Sequence, residues 1–164
     1  MRPLLHALAA ALTLLAASGA ALAEEGPPGT EILPAAEEPG HLPPDFEHDY
    51  GTPFPTSGPH SIRGTEPNFY RQPQPPTELV HALEHGHVVI YFDDPGDEVL
   101  GHLLALIVEY AGKQSALVVV PSPGIGEQIV LTAWERRLIL PQFDEAKARA
   151  FIAAFCGRSS AHMH

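Results

Sequence analysis

His81 and His85 stand four residues apart in the run His81-Ala82-Leu83-Glu84-His85-Gly86. On a helix, side chains at i and i+4 lie one above the other on the same face. Two imidazoles so placed can grip one metal ion without rearrangement, and imidazole suits zinc, copper and nickel. Glu84 falls about 60° around the helix from His81, where its carboxylate can orient a ring or reach the ion. A third imidazole comes from Pro55-Thr56-Ser57-Gly58-Pro59-His60, where two prolines and a glycine fix the backbone and hold His60 on a rigid loop. A His60/His81/His85 cluster with Glu84 beside it is therefore a candidate metal site. The plainer alternative makes His60 a surface residue after a turn and His85 a last-turn side chain that complements the helix dipole. Ten histidines against nine Lys plus Arg make any one pair less distinctive.

The chain ends in His162-Met163-His164, two imidazoles and a thioether. A thioether selects copper(I) among common ions, so this tail could capture or deliver copper, or be an uninvolved end. Copper is accordingly the favoured ion and zinc the second. His81-x-x-Glu84-His85 also matches the H-x-x-E-H pattern of inverted zinc proteases, in which the glutamate is general base on a zinc-bound water. Its helix here is only two turns long, and neither Glu127 nor Glu135, the available distant ligands, has a supporting motif. A small zinc hydrolase thus ranks below a metal-free interaction module tethered by the proline-rich arm, and both rank below ion handling without catalysis. No Gly-x-Ser-x-Gly, phosphate loop or dinucleotide fingerprint is present.

The elements that must position these residues begin at Thr77, which can cap a helix over 78–85 that Gly86 stops in the left-handed conformation. Residues 87–93 read as a strand, followed by an Asp94-Pro95-Gly96 turn. Residues 97–111 form the clearest helix, with Val99, Leu100, Leu103, Leu104, Ile107, Val108 and Ala111 in an i, i+3, i+4 rhythm. That rhythm predicts Leu100, Leu103, Leu104 and Ile107 buried against the sheet. Residues 116–120 are a continuous apolar run, hence an interior strand. Residues 129–134 and 136–140 suit a tight hairpin about Glu135. The last helix runs from an Asp144 cap to a Gly157 stop and should bury Ala148, Phe151, Ile152 and Phe155. The order predicts an α+β fold, a small mixed β-sheet with packed helices and one parallel crossover, preceded by a proline-rich irregular arm.

The N-terminus has the pattern of an export signal over residues 1–23: Arg2, the apolar Leu4 to Leu15, and the small-x-small ending Ala21-Leu22-Ala23. Its removal would leave 141 residues without a stable membrane span, in the periplasm or secreted, with a formal charge of −12 in place of −11. Such acidity argues against nucleic acid and anionic membrane surfaces, and suits cations or a basic protein partner for ion delivery. Thirteen of the 18 prolines lie between Glu24 and Pro76. Residues 24–49, acidic and poor in apolar side chains, read as a disordered leader. Aromatics join the prolines from Tyr50 onward, so the single domain is expected over residues 50–157, with a flexible tail at 158–164. Cys156 is the only cysteine, which excludes an intramolecular disulfide, Cys-x-x-Cys redox chemistry and thiolate-rich zinc sites.

Three stretches in order carry a resemblance: Phe54 to His60, Leu79 to Ile90, and Leu131-Thr132-Ala133-Trp134 with Phe143-Asp144. Together they resemble the bacterial family catalogued as domain of unknown function 3105, over about Tyr50 to Gly157. The resemblance implies an exported or membrane-anchored bacterial protein and brings no assigned activity.

Overall fold

The computed structural model describes residues 25–36, 40–43, 45–111 and 116–159. The 1–23 signal reading and the His162, Met163 and His164 ligands fall outside the described residues.

The sheet is built from the apolar runs. Strands β5 (Val88–Phe92), β6 (Leu117–Pro121) and β7 (Ile129–Ala133) occupy its middle, with β8 (Arg136–Leu140) beside β7. Alternate side chains of a strand point to opposite faces, and both faces here are covered. Val88, Ile90, Phe92, Leu117, Val119, Ile129 and Leu131 meet one apolar cluster. Val89, Tyr91, Val118, Val120 and Val130 meet the other. This double coverage is why β5 and β7 are buried along their whole lengths.

On the first face lie α2 (Asp97–Tyr110) and α3 (Glu145–Phe155); on the second lies α1 (Pro76–Glu84). β5 and β6 are parallel neighbours, with α2 as the crossover between them. β7 runs antiparallel to both β5 and β8, and its hairpin turns through Glu135 at φ 58°. The mixed sheet, the crossover and the hairpin match the expected α+β fold. At the last helix, Asp144 accepts a hydrogen bond from the Lys147 backbone N–H at 3.0 Å, and Ala148, Phe151, Ile152 and Phe155 are all buried.

Three expectations need correction. Thr77 does not cap α1. The helix starts two residues earlier, with Pro76 in its first turn, where the missing N–H costs nothing, and Thr77 is turned into the core. The buried stripe of α2 is rotated: Leu103 and Leu106 are fully buried, Leu100 and Ile107 are partly buried, and Leu104 is 48% exposed. The leader, finally, is structured where described. β1 (Glu31–Ile32) adds antiparallel to β8, with Glu31 ion-paired to Arg137 at 2.7 Å. Gly26 lies so close to Phe155 that a Cβ there would come within 2.7 Å of the ring. β2 (His41–Leu42) pairs with β3 (His60–Ser61), and β4 (Asn68–Phe69) extends the main sheet beside β6.

Candidate metal centre

The loop that carries His60 is held from several sides. The Tyr50 hydroxyl donates to the Pro59 carbonyl, and Tyr50 also packs against Gly58, where a Cβ would sit 3.1 Å from its ring. The Glu135 backbone N–H at the hairpin turn donates to the Thr56 carbonyl at 3.0 Å. The Glu135 carbonyl accepts from Leu33 at 2.9 Å, so arm, leader and sheet meet at one turn. Trp134 covers the site from below, its ring 6.3 Å from that of His60. His60 ends 1% exposed.

Two elements converge on this ring. β2 runs parallel to β3 with His41 directly beside His60, their ring centroids 5.0 Å apart. α1 presents His81 and Glu84, three residues apart and so on one side of the helix. The His81 ring lies 5.4 Å from that of His60 and 5.7 Å from that of His41. Gly64 permits this approach, since a Cβ there would stand 2.7 Å from Cδ2 of His81. His41, His60, His81 and Glu84 each offer a ligand atom, and these atoms all lie within 4.8 Å of one another.

The hydrogen bonds around His60 decide what can sit between them. Its Nδ1 lies 2.8 Å from the Gly58 carbonyl oxygen, which can only accept, so Nδ1 carries a proton. Its Nε2 lies 3.2 Å from Glu84 Oε2. A lone pair facing a carboxylate is repulsive, so the two meet either across a proton on the ring or, with the ring neutral, across a cation. A backbone carbonyl that orients the far nitrogen is the usual support of a metal-ligating histidine.

His81 adds a second observation. Its Nδ1 is buried without a hydrogen-bond partner, and such an atom costs stability until something fills it. Burial holds this ring below the ordinary imidazole range, with the nearby His85 adding to the effect and a hydrogen bond to the Ser61 backbone working against it. The neutral ring, a potential ligand, is therefore its resting form at neutral pH. These residues fit a divalent transition ion: three imidazoles, one carboxylate and a nitrogen without a partner.

Of the residues expected from sequence, His60, His81 and Glu84 are brought together. His85 is exposed and stacks on His81 with centroids 4.6 Å apart, but it is not one of the four whose ligand atoms converge. The H-x-x-E-H reading wants His81 and His85 on the ion with Glu84 held off it, whereas here Glu84 is in the group and His85 is not. His41 was not anticipated. A two-residue strand in a proline-rich leader gives no periodic signal, and its place beside His60 is set by long-range pairing. Cys156 is half-buried, and burial pushes its thiol up to about 11, as suits a structural cysteine.

A family model described as "Protein of unknown function (DUF3105)" matches residues 41–163, a span that opens on His41 itself. No curated protein and no solved structure matches the chain.

Proposed function

Since the chain belongs to that family of unknown function, whose name brings no activity with it, we propose its function from the site: it is an exported protein that binds and handles a divalent transition-metal ion through His41, His60, His81 and Glu84. One observation carries this reading, the convergence of those four ligand atoms within 4.8 Å around a buried, carbonyl-oriented imidazole. A zinc ion, with bonds of about 2.0–2.1 Å in tetrahedral geometry, wants donors roughly 3.3–3.4 Å apart. The 3.2 Å between His60 Nε2 and Glu84 Oε2 already has that scale. The wider separations close by side-chain rotation of His41, His81 and Glu84, none of them fully buried.

Imidazole and carboxylate donors, with no thiolate or thioether in the group, suit the divalent state. Copper(II) is the favoured ion, because it binds such nitrogen and oxygen donors most tightly among the first-row series, and zinc is the second. Export rests on the N-terminal pattern of Arg2, the Leu4 to Leu15 run and Ala21-Leu22-Ala23. An acidic exported chain also suits a basic partner that gives or takes the ion.

The experiment that tests this is a titration of the untagged protein with copper(II) or zinc across pH. The expected result is one ion per chain, with affinity steady near neutral pH and falling as pH drops below about 6.5, the ordinary imidazole value. His81 gives the stability of the metal-free fold a pH dependence of the same sign. A base whose folded value is depressed binds fewer protons folded than unfolded, so the metal-free fold also loses stability as pH falls through that range. Binding that is weak and indifferent to pH between about 7 and 5 would overturn the reading.

A further inference from the structure

Resting on that reading, we propose that His85 is the exchange ligand of the centre: an outer imidazole that takes the ion at the surface and passes it inward through His81. The histidines along this line are graded in burial. His85 is exposed, His81 is half-buried and His60 is 1% exposed. The His85 and His81 rings lie 4.6 Å apart at a tilt of 37°, closer than either is to any other imidazole described.

His85 is also held in place rather than trailing off the helix end. Its N–H donates to the His81 carbonyl at 3.2 Å, and the next residue, Gly86, takes φ 83° and donates to the Leu83 carbonyl at 2.9 Å. Gly86 is in turn locked by the Gly157 N–H on its carbonyl at 2.8 Å, with the Arg158 backbone within 2.7 Å of where a Cβ would be.

Four donors fill the usual coordination of a zinc-like ion. The ion can then leave only if a ligand dissociates unaided or a fifth donor arrives. His85 supplies that fifth donor beside a ligand already in place. On release one metal–nitrogen bond to His85 forms as one bond to His60, His41 or Glu84 breaks; on loading the bond to His85 breaks as one to His60, His41 or Glu84 forms, and His81 stays attached in both directions. No electron is transferred, and the ion remains divalent throughout.

Copper(II) alone is a sufficient probe, because the chain's single tryptophan, Trp134, lies 6.3 Å from the His60 ring and would be quenched by a paramagnetic ion there. In stopped flow, H85A should load copper(II) about tenfold more slowly than the unaltered chain. It should also release the ion to excess chelator more slowly by the same factor, so that Kd moves by less than about threefold. His85→Asp, which restores an exposed donor, should recover part of both rates. Unchanged rates in H85A would overturn the exchange role. So would a weakened Kd with an unchanged loading rate, which would make His85 a resting ligand. Absence of saturable quenching in the unaltered chain would instead bring down the metal centre itself, and this role with it.

Discussion

Replacing His60 by Ala should lower the affinity for copper(II) or zinc by a factor on the order of 100. Four-ligand sites in small zinc domains are worth about 10–16 kcal/mol, so one ligand accounts for roughly 3 kcal/mol, close to two decades in Kd. His60 should be the most costly of the four to lose, since it is the fully buried one and its far nitrogen is fixed 2.8 Å from the Gly58 backbone carbonyl. The carboxylate left behind worsens the loss, because Glu84 then faces a gap where a ring stood 3.2 Å away. His102→Ala is the control. That histidine pairs with Glu145 on the opposite side of the sheet, and its loss should leave the affinity unchanged. Because His60 is also packed, folding of the variant should be checked by circular dichroism. Should it fail to fold, His81→Ala and Glu84→Gln at half-buried positions give the same test, with losses of at least about tenfold. Equal affinity across these variants and the unaltered protein would remove the site.

The second large effect is on stability and separates two adjacent leucines. Leu103 is fully buried between α2 and the sheet, and Leu103→Ala should cost about 2–5 kcal/mol, the range for emptying a buried leucine site. Against a total of roughly 5–15 kcal/mol for a domain of ordinary stability, that is a large share. Leu104 is 48% exposed, and Leu104→Ala should fall within about 0.5 kcal/mol of the unaltered protein. Denaturant unfolding of the two variants measures the contrast directly. Similar losses at both positions would mean that α2 sits on the sheet through a different stripe.

The same pair shows where the sequence stops being readable. From Val99 to Val108 the helix is apolar nearly all the way round, so its periodicity identifies a helix but does not choose its face. The face is chosen by where the sheet and α3 lie, which is tertiary information. The central strands were legible because a run such as Val88 to Phe92 has nowhere to go but an interior. The stops at Gly86 and Gly157 and the cap at Asp144 were legible because the chemistry of a helix end is local. Composition misled at the N-terminus. Prolines and acids signal a free chain, yet Gly26 against Phe155 and Glu31 against Arg137 tie the segment to the domain through contacts more than a hundred residues apart. At the site, the i, i+4 rhythm pointed to His81 and His85, while the fold turns His81 and Glu84 together toward His60. His41 could not be reached by any spacing rule, because its partner is a strand 19 residues away in sequence.

The ligand shell of the bound ion is the most direct test of the central claim. X-ray absorption at the copper or zinc edge, on untagged protein loaded with one ion per chain, should show nitrogen and oxygen donors at about 2.0–2.1 Å. It should also show the outer-shell scattering of three imidazole rings, reduced to two in His41→Ala. A shell of oxygen donors without imidazole scattering, or a spectrum that His41→Ala leaves unchanged, would contradict a centre built from His41, His60, His81 and Glu84.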